Sequence, residues 1–165
     1  TTDFIFLITR TLDLVDKKLS QYGIKFLMID KLEKTPIDGY SFWSINNPVI
    51  ALTLRHNRVD NLAFTILHEI GHIALHLRDN RDIKFLDLTK IEETKIEREA
   101  NLYAQESLIP LICWNDLLKN YTPLNDELIY QFSNKYRINP AIILGRACFE
   151  MGNYGIKTNI DKKLK

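Results

Sequence analysis

Apolar side chains recur at helical spacing between residues 4 and 21, and Gly23 stands where a helix stops, so the pattern predicts an amphipathic helix over 4–21. The next thirty residues change character. Residues 24–29, 40–45 and 49–54 are short runs rich in Ile, Phe, Val and Trp between turn-forming stretches, and they predict three strands of a small sheet. From Val59 the period shifts again: Val59, Leu62, Ala63, Ile66, Leu67, Ile70, Ile73, Ala74 and Leu77 follow the three-and-four spacing of a core-facing helix. A mixed-sign stretch over 78–90 predicts a solvated connection, and helical spacing resumes over 91–108, ahead of Pro110. Residues 126–150 predict two shorter helices split at Asn139-Pro140. The tail from Tyr154 is polar and predicts a frayed end.

A sheet followed by helices implies an α+β fold, and 165 residues are enough for one domain with a substantial core. At 45% hydrophobic and 26% charged, the composition excludes a disordered or low-complexity chain. A net charge of +1 gives no whole-chain attraction to nucleic acid or anionic membrane. Apolar runs such as 4–8 and 49–52 are far short of the roughly 20 residues of a membrane span. Cys113 and Cys148 lack CxxC spacing and sit in apolar surroundings, which suits a reducing compartment, so a cytoplasmic location is expected. The chain opens on Thr1-Thr2 and not on Met, as expected of a piece of a longer protein.

Three of the four histidines fall in His68-Glu69-Ile70-Gly71-His72-Ile73-Ala74-Leu75-His76. On a helix His68 and His72 lie about 40° apart on one face, one turn apart, where two imidazoles can share a metal. Glu69 points beside the pair, where it can take a proton from a metal-activated water. With 4 His and 9 Glu in the chain, chance supplies roughly 0.005 such HExxH matches. His76 lies about 80° round from His68 and reads as a cap of the helix's negative end, outside the metal set.

A catalytic zinc takes three protein ligands and leaves one position open. The next helix offers Glu97-Arg98-Glu99-Ala100-Asn101, in which Glu97, Asn101, Ala104 and Leu108 form one stripe and Ala100 and Ala104 allow close helix approach. If that stripe faces the first helix, Glu97 reaches the metal and Asn101 can accept from the free N–H of a ligating histidine. Glu93 and Glu99 are competing ligands. Tyr40 and Tyr103 are the candidates for stabilising an oxyanion.

Residues 65–76, together with Glu97-Arg98-Glu99-Ala100-Asn101-Leu102-Tyr103-Ala104 and Leu108-Ile109-Pro110, resemble the ImmA/IrrE family of metallopeptidases. Trp43, residues 48–52 and Ile138-Asn139-Pro140-Ala141-Ile142-Ile143-Leu144-Gly145-Arg146 extend the likeness to about residues 20–155. The resemblance implies a zincin-like fold over residues 1–155, with 126–150 as a helical C-terminal subregion and 156–165 as a polar tail. It implies Zn2+ held by His68, His72 and Glu97, with Glu69 as the base and Asn101 behind a ligand. The implied function is cleavage or regulation of a helix-turn-helix repressor in a mobile-element or stress response. The outer segments resemble the branch fused to helix-turn-helix regulators of the HigA antitoxin kind, which implies a DNA-binding domain upstream and a toxin partner. In that branch the alternative is a zinc-binding regulatory module without proteolysis.

Two further expectations follow from the pattern. The strand over 49–54 is expected to form the rim of the cleft and to pair with an extended substrate. Residues 126–149 have Ile129 and Ser133 in helix-turn-helix positions, but Arg137 stands where Gly usually supplies a positive φ, and few basic residues flank it. They read as packing helices.

Overall fold

A computed structural model describes residues 12–29, 37–53, 55–81 and 95–163. The chain runs α1 (Leu12–Ser20), β1 (Lys25–Ile29), β2 (Gly39–Trp43), β3 (Pro48–Thr53) and α2 (Val59–His72). A π-helical turn (Ile73–Leu77) continues α2, followed by α3 (Lys95–Leu108), α4 (Leu111–Asn120), α5 (Asp126–Tyr136) and α6 (Pro140–Met151). Helix α1 buries Val15 and Leu19, four residues apart, and leaves its lysines outside. The first part of the helix expected over 4–21, and most of the connection expected over 78–90, lie outside the described residues.

The sheet order is β1-β3-β2, with β3 parallel to β1 (Lys25 opposite Val49) and antiparallel to β2 (Gly39 opposite Leu52). Val49, Ile50, Ala51 and Leu52 are all buried, as a central strand covered on both faces requires. This corrects the expectation for the cleft rim. Both hydrogen-bonding edges of β3 are taken by its neighbours, so it cannot accept a substrate strand; β2, packed against α2, is an outer strand among the described residues.

Helix α2 is central. Its stripe Leu62, Ala63, Ile66 and Leu67 enters the core, and α2 and α3 form the most extensively packed pair of elements. At their crossing Gly71 meets Ala100 and Tyr103, where a Cβ on residue 71 would lie 3.1 Å from the Ala100 Cα. Ala100 and Ala104, both fully buried, complete the small-residue contact.

Helix α4 follows Pro110 directly and is absent from the sequence reading, which took Pro110 only as an end signal. Proline is equally at home just ahead of a helix. Only Trp114 and Leu117 of α4 are buried, while Leu111, Ile112 and Leu118 are exposed, so its apolar positions carry no clean stripe. Helices α5 and α6 each start on an asparagine cap: Asn125 Oδ1 accepts from Leu128 N–H and Asn139 Oδ1 from Ala141 N–H. Between them Arg137 adopts a left-handed φ of 54°. Helix α6 buries Ala141 to Leu144, Ala147 and Cys148 against α2 and α5, the behaviour of a packing helix.

Arg146 ties this bundle to α3. Its guanidinium donates to the backbone carbonyls of Gln105 and Ile109 and to Glu150, and stacks over Trp114 at 4.4 Å. The last carbonyls of the helix that carries Glu97 thereby find a charged donor.

The tail does not fray over its described length. Val59 N–H donates to Lys162 C=O, Asp126 accepts from Thr158 Oγ1 and Asn159 N–H, and Ile160 is buried. Ile160, the partly buried Ile156, one backbone bond and the Asp126 carboxylate suffice to dock a segment that reads as polar by composition. No described helix is long and apolar enough to cross a membrane.

Candidate metal centre and catalytic base

The fold brings His68 and His72 of α2 and Glu97 of α3 together; one donor atom from each lies within 4.8 Å of the others. The Nε2 atoms of the two histidines are 2.9 Å apart. Glu97 places one oxygen 3.3 Å from His68 Nε2 and the other 3.4 Å from His72 Nε2. Both imidazoles are buried, and their rings meet nearly edge to face at 84°. Burial pushes the His72 pKa below the ordinary histidine value, which keeps the ring neutral at pH 7. The Glu97 carboxyl, beside the two imidazoles, lies below the ordinary carboxylate range, so it is a carboxylate. Of the competing acids, Glu99 points to His76, and Glu93 lies outside the described residues.

The far nitrogens are also engaged. His68 Nδ1 is 2.9 Å from Asn101 Oδ1, one turn along α3 from Glu97. His72 Nδ1 is 3.3 Å from His76 Nδ1, and His76 Nε2 is 3.1 Å from Glu99 Oε2. His76 is therefore no helix-end cap. The chain winds as a π-helix over Ile73–Leu77, turning less per residue than an α-helix, and this brings His76 back over His72. Measured from His72 and not from His68, His76 is one helical turn away, a neighbouring position on the helix surface.

These donors fit a cation. His68 Nδ1, facing an amide oxygen, carries the ring proton, so its Nε2 turns a lone pair toward the Glu97 carboxylate. Two acceptors at that distance repel unless a cation or proton stands between them. Ligand atoms about 2.0–2.1 Å from a tetrahedral zinc are about 3.3 Å apart, which matches the two imidazole–carboxylate separations, while the two Nε2 atoms, at 2.9 Å, stand closer together.

Glu69 follows His68 on the flank of α2 that faces β2 and is buried. Gly39 of β2 makes room for it: a Cβ there would lie 2.7 Å from Glu69 Oε1 and 2.6 Å from Thr65 Cγ2. Glycine is the residue this close approach demands. Tyr40, next along, has its phenol pKa raised by burial and then by the negative charge of Glu69, which places it near that carboxylate. Tyr103 instead lines a hollow of about 870 Å³ on the other side of α3, with Leu75, Glu99 and Leu102. A smaller cavity of about 380 Å³ starts one turn before His68, where Phe64, Thr65, Gln105, Leu108 and Ile142 line it.

An α+β domain that gathers two histidines one turn apart, a glutamate from the next helix and a buried acid between the histidines has the build of a zincin-like metallopeptidase. Comparison with known proteins agrees. The pattern of the IrrE N-terminal-like domain, a peptidase family, matches residues 20–144, and the chain belongs to that family, the ImmA/IrrE metallopeptidases. Metallopeptidase ImmA of Bacillus subtilis (strain 168) is 32% identical to it over 71 residues, 43% of this chain and 41% of that protein. The match thus spans about two fifths of the relative's length.

Proposed function

We propose that this domain is a zinc-dependent endopeptidase whose ligands are His68, His72 and Glu97 and whose base is Glu69. The observation that carries the reading is a buried carboxylate, Glu69, set beside a cluster of two imidazoles and a carboxylate. A purely structural zinc has no use for such a base. Zinc bound there would lower the pKa of a water and polarise the scissile carbonyl. Glu69 accepts the proton from the attacking water and passes it to the departing amine, so that water adds across the C–N bond and the carboxylate is regenerated. Gly39 leaves the space that the Glu69 carboxylate occupies. Asn101 holds His68 in the tautomer whose Nε2 faces the cluster. The outer strand β2 offers backbone groups to an extended peptide, and the cavity beside Phe64 offers room for an apolar side chain.

The substrate proposed is a helix-turn-helix repressor, in the cytoplasm, with a DNA-binding domain upstream in the full-length protein and a toxin as a further partner. The test is Glu69→Gln, which keeps the shape and removes the base. We expect unchanged zinc content and thermal stability, with cleavage of purified helix-turn-helix repressors, followed by mass spectrometry, lost by at least 100-fold. A variant that regulates its target as well as the wild type, with no cut in either case, would replace this reading by a non-proteolytic zinc-binding module.

A further inference from the structure

The geometry points to His76 and Glu99 as positioning residues that fix the tautomer of His72, so that its Nε2 presents a lone pair to the metal; this rests on the metal reading above. The Glu99 carboxylate can only accept, so the His76 nitrogen 3.1 Å away, Nε2, is its N–H. In a neutral ring the other nitrogen, Nδ1, then carries a lone pair. That atom is 3.3 Å from His72 Nδ1, which must therefore donate, so His72 Nε2 turns its lone pair toward the cluster formed with His68 Nε2 and Glu97. Lys95, 3.5 Å from the other Glu99 oxygen, holds the carboxylate from its exposed side.

The two ligating histidines are thus set by different devices. His68 leans on an amide from α3, and His72 on a second imidazole backed by an acid from α3. Both supports bridge α2 and α3, the helices whose separation also sets the distance of Glu97. The π-helical turn has a use here: it brings His76 over His72 without breaking the helix.

Three variants test this in the full chain. His76→Phe keeps a ring and removes the acceptor, His76→Gln restores an acceptor oxygen, and Glu99→Ala, at a half-exposed position, leaves the core untouched should His76→Phe fold poorly. Zinc affinity is read by competition with a chelator. The His72 ring is read from long-range 1H–15N spectra of the zinc-loaded protein at pH 8, above the ordinary histidine range. The relay predicts a proton on His72 Nδ1 in the wild type. It predicts a 10- to 100-fold loss of affinity in His76→Phe, an intermediate loss in Glu99→Ala, and affinity within about threefold of wild type in His76→Gln. A wild-type proton on His72 Nε2, or equal affinity in His76→Phe and wild type, would overturn the relay alone. A wild type that takes up no zinc would overturn the metal reading and the relay with it.

Discussion

Replacing Gly71 by alanine adds one methyl at the tightest point between the two site helices. The new Cβ would lie 3.1 Å from the Ala100 Cα, 3.2 Å from the Tyr103 Cβ and 3.3 Å from the Ala100 carbonyl oxygen. Ordinary carbon–carbon contact is about 3.5–4.0 Å. Two of the three atoms are backbone, so no rotamer change relieves them, and α3 must move away by about 0.5 Å to restore normal contact. Gly→Ala inside a helix gains about 1 kcal/mol of propensity, whereas overpacking costs about 1–3 kcal/mol. The net is a loss of about 0–2 kcal/mol, too small to unfold the domain. The metal site should suffer more. Glu97 rides on α3 and now stands 3.3 and 3.4 Å from the histidines, and such constellations tolerate about 0.5 Å of error. Zinc affinity should fall about tenfold or more, equivalent to about 1.4 kcal/mol. Urea unfolding with chelator present reads the first quantity and chelator competition reads the second. A variant that is about 1 kcal/mol more stable and binds zinc like the wild type would refute the claim that α2–α3 contact sets the ligand distance.

Gly39→Ala pushes a methyl against Glu69 and Thr65, so cleavage should fall while zinc content holds, as activity assays beside metal analysis would show. Arg146→Ala removes the guanidinium from the Ile109 and Gln105 carbonyls and from Glu150, and should cost about 2–3 kcal/mol in urea unfolding. The metal-free protein should weaken steadily with acid. His72 has its pKa lowered by burial, so below pH 6.5 the unfolded chain takes up a proton that the folded one resists. Unfolding midpoints with chelator should be lower at pH 5.5 than at pH 7.5, and a midpoint that rises between 7.5 and 5.5 would contradict the sign.

The site was legible where chemistry is encoded within one helical turn. His68, Glu69 and His72 are fixed relative to each other by α-helical spacing alone, and the Glu97-Asn101 stripe needed only the assumption that its small residues face α2, which Gly71 and Ala100 bear out. Strand positions followed from β-branched and aromatic runs to within a residue or two, but their order did not. That β3 lies between β1 and β2 is decided by long-range pairing, and its all-buried face was the available clue. His76 was misplaced because its angle was taken from His68, whereas its contact is with His72, one turn away. Gly39 was missed because its role is set by a side chain thirty residues away. Helix α4 and the docked tail escaped because neither carries a continuous apolar stripe.

The most direct test of the central claim is zinc per chain after metal loading and desalting, with Glu97→Gln measured beside the wild type. Glu97→Gln keeps the side chain's shape but replaces the carboxylate ligand with a neutral amide. The account predicts about one zinc in the wild type and far less in the variant. No zinc in either protein, or equal zinc in both, would contradict it.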